Sequence, residues 1–281
     1  MRLQSTAMKM DELTSVPLIS YKRASVLRSL GIKTLHDLLS WSPDTLSNQE
    51  KIRSCNGSFS KQIPLIMNYA RSIVEKRVIV TGINEHFRNI SKSQIYFLDL
   101  EYDASSSFIF LYGIMNATGH IIQIFVDDPI QEKDALEEFL KIVRKDAIFV
   151  TYASKSADEP ILKKSIEKFK LSSSCISKAR FFDLFYHVIF TQKPETQKIF
   201  LPIKPITEKT VSDYFGYKPP KYLHIHNGLE ALMFYKMYLR TKNKKLKKQI
   251  LRYNKSDLQR IKLIYQKIFN LFRQYAKDEL L

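Results

Sequence analysis

The apolar pattern of this chain changes period near residue 95, and that change limits the fold more than any other feature. Upstream, apolar residues recur at helical spacing through Ala24, Leu27 and Leu30, then Leu35, Leu38 and Leu39, then Ile63, Ile66, Ala70 and Ile73. Pro17, Gly31, Pro43, Gly57 and Pro64 punctuate these runs. Downstream, short β-branched and aromatic runs take over: Ile95 to Leu98, Phe108 to Tyr112, Ile121 to Phe125 and Ala147 to Val150. The first three are joined by turn-sized gaps at Ala104 to Ser107 and Asn116 to Gly119, which predicts an antiparallel meander. A helical stretch from Gln131 to Val143 separates the third run from the fourth, as a crossover to a parallel neighbour requires.

A further helix is expected over Asp158 to Phe169 and a fifth strand over Ala179 to Asp183. Helices follow from about Lys204 to Ala276, broken at Gly216, at Pro219-Pro220 and near Asn254. The expectation is an α/β chain in two parts. Residues 1–80 form a small all-α domain, residues 77–93 read as a connector, and residues 81–281 carry a mixed five-stranded sheet flanked by helices. No internal repeat is evident.

Composition narrows the setting. With 44% hydrophobic residues and only 7 glycines and 10 prolines in 281, the chain is globular. Cys55 and Cys175 are too few and too far apart for a disulfide framework or a thiolate zinc site, which predicts a reducing, intracellular home. Met1 to Val16 lacks the apolar core of a secretory signal, and no segment approaches the ~18 apolar residues of a membrane span, so a soluble cytoplasmic protein is expected. Forty-five basic against 28 acidic residues give +17, a balance that fits nucleic acid or an acidic membrane surface. The charge is uneven: residues 91–150 hold 5 basic and 10 acidic residues, net −5, whereas residues 231–281 hold 14 and 3, net +11.

Within the acidic stretch, Asp99-Leu100-Glu101 closes the first strand run. Alternation puts Asp99 and Glu101 on one face, where two carboxylates repel unless a cation or a proton lies between them. Taken alone, the pair is more simply explained by a strand end reaching solvent. Asp158 opens the helix after the fourth run, where a carboxylate also favours the helix dipole by ~0.3–1 kcal/mol. In Tyr253-Asn254-Lys255-Ser256-Asp257, the tyrosine and the aspartate share a face if the segment is helical, although Asn254 or Ser256 could start a new helix.

Taken in order on these elements, the four acids and the tyrosine resemble the DEDD-type 3′–5′ exonucleases of the ribonuclease-H-like superfamily, nearest to the predicted YprB-like nucleases. Asp99 and Glu101 match the first motif, Asp158 the second, and Tyr253 with Asp257 the third in its tyrosine form; the histidine form would need His at Arg252. Leu201-Pro202-Ile203-Lys204, Tyr214-Phe215-Gly216 and Gly228-Leu229-Glu230-Ala231 also resemble that family, over about residues 94 to 270. The second motif departs from it, with Tyr152-Ala153 and Ala157-Asp158 where the family has Tyr-Asn and Phe-Asp. The resemblance implies a ribonuclease-H-like fold, two Mg²⁺ or Mn²⁺ ions held by Asp99, Glu101, Asp158 and Asp257, and a water oriented by Tyr253. It implies phosphodiester hydrolysis, with DNA favoured over RNA. Companion nuclease or repair proteins are implied as well, because similar modules occur beside other nuclease domains.

Leu13 to Leu39 resembles a helix-hairpin-helix element, in which backbone N–H groups meet a DNA phosphate; Ser20-Tyr21-Lys22 replaces the usual glycines, and Lys22 and Arg23 supply charge. Arg240 to Lys255 holds eight basic residues and no acid. Lys244, Lys245, Lys247, Lys248 and Arg252 in this run are expected to track a nucleic-acid backbone, and a membrane-surface role is not expected without Trp and a wide apolar face. His224 and His226 lack a third ligand for zinc. Two other readings remain open at this level: a nucleic-acid-binding protein with a degenerate nuclease fold, and a structure-specific endonuclease.

Overall fold

The structure, a computed structural model, describes residues 12–55, 58–87, 94–144, 146–171, 179–191 and 194–279. Cys175 lies outside the described residues. Helices α1 (Tyr21–Ser29), α2 (Leu35–Ser40), α3 (Pro43–Ser47), α4 (Glu50–Cys55) and α5 (Phe59–Glu75) make up the amino-terminal region. Local chemistry starts them: Ser20 caps α1, and Thr34 with Asp37 closes a capping box on α2, each side chain accepting from the other residue's backbone N–H. Apolar positions at helical spacing on α5, including Phe59, Ile63, Ile66 and Ala70, bury against Ala24, Leu27, Leu35 and Leu38.

That helical core is closed from outside its own segment. Strand β1 (Ile79–Val80) pairs antiparallel with β7 (Ile199–Phe200), and Phe200 joins the helical core with its ring edge-on to Tyr69 at 5.1 Å. The Tyr69 hydroxyl donates to the Ile189 carbonyl (3.1 Å) and accepts from Gln197 Nε2 (2.7 Å) in a fully buried position. Lys204 Nζ donates to the carbonyls of Thr14 and Val16 at 2.7 and 3.1 Å. The stretch expected as a simple connector therefore contains a sheet partner, a two-residue ribbon too short for periodicity to reveal.

The main sheet has the order β4-β3-β2-β5-β6, built from β2 (Ile95–Asp103), β3 (Phe108–Asn116), β4 (Ile121–Phe125), β5 (Ile148–Thr151) and β6 (Arg180–Asp183). The first three pair antiparallel, and β2–β5 and β5–β6 pair parallel, as the meander and the crossover predict. Helices α6 (Glu132–Ile142) and α7 (Asp158–Lys168) cover one face through Leu136, Phe139, Leu162 and Ile166, packed on Leu98, Leu100 and Tyr112. Helices α8 (Glu208–Tyr214), α9 (Gly228–Thr241) and α10 (Lys244–Asp278) cover the other.

Two expectations are corrected. Strand β2 does not end at Glu101; it continues through a bulge at Glu101/Tyr102 so that Tyr102 and Asp103 pair with Ile109 and Phe108, which leaves both acids inside the strand. Helix α10 does not break near Asn254 but runs unbroken for 35 residues, because the Asn254 side chain bonds to the sheet instead of competing for its own backbone. The Tyr69 hydroxyl gives a test of the inter-segment contact: Tyr69→Phe leaves the buried Gln197 amide and Ile189 carbonyl short of a partner and should cost ~1–3 kcal/mol in urea unfolding.

Candidate active site

Because side chains alternate along a strand, Ile95, Phe97, Asp99 and Glu101 of β2 share the face turned towards α10. Ile95 and Phe97 pack on the apolar stripe of that helix, Leu258, Ile261, Ile264 and Ile268. The next two positions on this face meet its polar stretch. One oxygen from each carboxylate of Asp99, Glu101 and Asp257 lies within 4.8 Å of the other two. Glu101 and Asp257 are buried and Asp99 half-buried. Tyr253 lies one turn before Asp257, and its hydroxyl favours the ionised form of the Asp257 carboxylate.

Asp158, on α7, lies outside that 4.8 Å group, but its charge is felt at both β2 acids, and the Leu100 N–H between them favours its ionised form. The turn that delivers it holds Ala153 in the left-handed region at φ 56°, a conformation Asn adopts more readily than Ala. Buried Asp183 at the end of β6 secures that turn, accepting from the N–H groups of Ala153 (2.9 Å), Lys155 (3.0 Å) and Phe185 (2.9 Å).

Asn254 fastens the helix to the strand. Its Nδ2 donates to the Asp99 carboxylate (2.7 Å) and to the Asp99 carbonyl (3.0 Å), while its Oδ1 accepts from Gln123 Nε2 (2.8 Å). Gly113 is the cross-strand partner of Asp99, and a Cβ there would overlap the Asn254 carboxamide. Glycine at this position is what lets the amide reach the strand.

Three further charged groups surround the acids. Glu208 opens α8 and is electrostatically coupled first to Asp257. Arg260 Nη1 donates to Asp257 at 2.5 Å, with its guanidinium 5.1 Å from the Tyr217 ring centre. Lys209 Nζ lies 5.8 Å from the Tyr253 ring centre and donates to the His226 carbonyl. Burial and mutual repulsion hold Asp99, Glu101 and Glu208 well above the ordinary carboxylate range. Burial and the Asp183 charge push Asp158 up to about 7. Asp257 is raised by burial, with Arg260 opposing. Burial, then the Asp257 charge, raises the Tyr253 phenol.

Buried carboxylates of like charge, with oxygens converging on one point, form a donor set suited to a hard divalent cation. A family model described as the RNase H superfamily matches residues 96–269, a span that contains Asp99, Glu101, Asp158, Glu208, Tyr253 and Asp257. The chain belongs to the RNase H superfamily. No curated protein and no solved structure matches it. The superfamily is one of nucleases, which makes nucleic acid the substrate class and accounts for an acidic cluster able to bind metal. Among the described residues, no helix is long and apolar enough to cross a membrane.

Around this RNase H core the expected basic contacts divide. Lys244, Lys245, Lys248 and Arg252 are exposed along the first turns of α10, and Lys22 is exposed on α1. Lys247 is instead engaged within the fold, paired with Asp127 at 2.7 Å and 4.6 Å from the Phe125 ring centre. Arg23 is likewise held by the Leu18 carbonyl and Gln62, at 2.7 and 2.8 Å, over Phe59. Asn254, Glu208, Arg260, Lys209 and Asp183 were not singled out from the sequence. Only Asn254 carried a signal there, as an amide beside Tyr253 on the same turn as the third motif.

Two predictions follow from this geometry. Gly113→Ala should destabilise the fold by ~1–3 kcal/mol through overpacking, and combining it with Asn254→Ala should cost less than the sum, as a double-mutant cycle in urea would read. Stability without metal should fall with rising pH. Unfolded carboxylates titrate near ~4, so between there and about 7 the native state carries more protons than the unfolded state, and the slope is negative. Carboxylates lowered by their partners, such as Asp103 and Asp127, titrate below this window and act with the opposite sign there. In EDTA the melting temperature should drop between about pH 5 and pH 7.5, and millimolar Mg²⁺ should flatten that slope.

Proposed function

We propose that this member of the RNase H superfamily is a metal-dependent nuclease, specifically a 3′–5′ exonuclease acting on DNA. The observation that carries the reading is the convergence of Asp99, Glu101 and Asp257 within 4.8 Å, with Asp158 coupled to the same cluster. Asp99, Glu101, Asp158 and Asp257 would hold two Mg²⁺ or Mn²⁺ ions. Bound there, the ions supply Lewis-acid stabilisation of the attacking and leaving oxygens of a phosphodiester.

The protein groups divide the remaining work. Tyr253 lies beside Asp257, where its phenol would hydrogen-bond a water at the cluster. A phenol whose proton affinity is raised does not act as a base near neutral pH, which makes Tyr253 a positioning group. Asn254 fixes the Asp99 carboxylate. Lys244, Lys245, Lys248 and Arg252, between about one and four turns before Asp257 on the same helix, offer a cationic path for the phosphates of a strand entering the site. The amino-terminal helices, with Lys22 exposed, extend that contact in a sequence-independent manner.

The test is digestion of 5′-labelled and 3′-labelled single-stranded DNA and RNA in Mn²⁺ or EDTA. The expected result is a Mn²⁺-dependent ladder that shortens from the 3′ end of DNA, reduced at least about 100-fold in Asp99→Ala and in Asp257→Ala while a gel shift still shows binding. Full cleavage by both variants would remove the assignment, and internal cuts in a circular substrate would make the protein an endonuclease. One observation favours a second reading, a binding protein with a degenerate site: Arg260 already supplies a cation to Asp257. Under that reading the substrate persists in every condition while the gel shift remains.

A further inference from the structure

Glu208 is the first residue of α8, where an acid ordinarily faces water and favours the helix dipole. Here the start of the helix is satisfied without it. The Thr207 hydroxyl accepts from the Thr210 N–H at 3.2 Å, and the Thr210 hydroxyl accepts from the Thr207 N–H at 2.9 Å. The Glu208 carboxylate turns inward instead, and its Oε1 is shut off from solvent with no hydrogen-bond partner. Asp257 repels it most strongly and Asp158 more weakly, while Arg260 and Lys209 attract it.

Two cations stand near enough to matter, and each is engaged elsewhere. Arg260 gives Nη1 to Asp257 and lies over Tyr217, leaving its own buried Nε unpartnered. Lys209 bonds to the His226 carbonyl and lies over Tyr253. A carboxylate oxygen shut off from water beside other carboxylates and bonded to no donor is costly to ionise unless a cation completes it. The same cluster already presents converging oxygens from Asp99, Glu101 and Asp257, and a hard divalent ion takes six or more oxygen ligands.

We propose that Glu208 is a fifth carboxylate of the metal centre, supplied by α8, which helps to hold the divalent ion on the Asp257 side. This rests on the reading of the acidic cluster as a metal site. It separates Glu208 from a plain counter-charge for Arg260, because losing a counter-charge lowers stability in the absence of metal whereas losing a metal ligand does not.

The experiment titrates the full-length chain with Mn²⁺ in the absence of nucleic acid, by calorimetry or by the spin-resonance signal of free Mn²⁺, and pairs it with thermal melting. The proteins are wild type, Glu208→Gln, Glu208→Asp and Asp99→Asn. The proposal expects Glu208→Gln to bind Mn²⁺ about tenfold more weakly or worse, with Glu208→Asp recovering part of the loss. It also expects Glu208→Gln to melt no lower than wild type in EDTA, since an isosteric amide replaces a carboxyl whose Oε1 has no hydrogen-bond donor there, and to gain less from added Mn²⁺. Melting in EDTA also shows that the variant is folded. Wild-type Mn²⁺ affinity in Glu208→Gln, with binding lost in Asp99→Asn, would overturn this role and leave the metal centre standing. A lower melting temperature in EDTA would overturn it in favour of the Arg260 counter-charge. If wild type itself binds no Mn²⁺, the metal reading falls and this one with it.

Discussion

Three carboxylates with oxygens within 4.8 Å of one another, two of them buried and one half-buried, impose the condition that the rest of this fold must meet. At an effective dielectric of about 20, each ionised pair at such a separation repels by roughly 3–4 kcal/mol. The chain carries that load by fixing the acids on rigid elements. Asp99 and Glu101 sit inside β2, in register with Gly113 and Leu111 of β3 and just beyond the Ile95–Phe97 stretch that pairs with β5, and cannot swing apart without breaking the sheet. Asp257 sits mid-way along a helix anchored further down by Ile261, Ile264, Ile268 and Phe272. The acids meet because two apolar surfaces meet, the Ile95–Phe97 end of β2 and the carboxy-terminal half of α10.

Relief of the strain comes from polar contacts that leave the cluster acidic. Asn254 gives Asp99 a donor without neutralising it, and the Leu100 N–H does the same for Asp158. Arg260 is the only described cation with a hydrogen bond to one of the four motif acids, and it occupies Asp257 Oδ1. The requirement for backbone approach then passes to the next strand: Gly113 must lack a side chain so that Asn254 can span from α10 to β2 while Gln123 of β4 holds its other end. A charge problem at one point is thereby written into three strands and a helix.

This transmission also explains which parts were legible in the sequence. The strand order could be read because period-2 runs, turn-sized gaps and an intervening helix are local signals. The acids could be found because their order on those elements is carried by the chain itself. Asn254 looked like a helix breaker, since the sequence does not show that Asp99 and Gln123 receive its side chain. Glu208 looked like an ordinary first-turn acid, since only the packing of α8 on α10 turns it inward. Arg23 and Lys247 counted as free cations in a basic run, whereas Leu18, Gln62 and Asp127 engage them. In each case the missing term was a partner more than thirty residues away or a bond to a backbone carbonyl.

The altered second motif turns on the same distinction between local and tertiary causes. Ala153 lies in a left-handed turn and pays the steric strain of a Cβ there, ~1–2 kcal/mol, where Asn would adopt it more easily. The turn persists because Asp183 accepts from the N–H groups of residues 153 and 155 on one side and 185 on the other, locking β5 to β6 across it. What the departure removes is a side chain at the turn; what it leaves is the path of the backbone that ends at Asp158. Asp158 still begins α7, with the Leu100 N–H favouring its ionised form and its charge felt at both acids of β2. The substitution at Ala153 therefore leaves in place the backbone path that brings Asp158 within electrostatic range of the cluster.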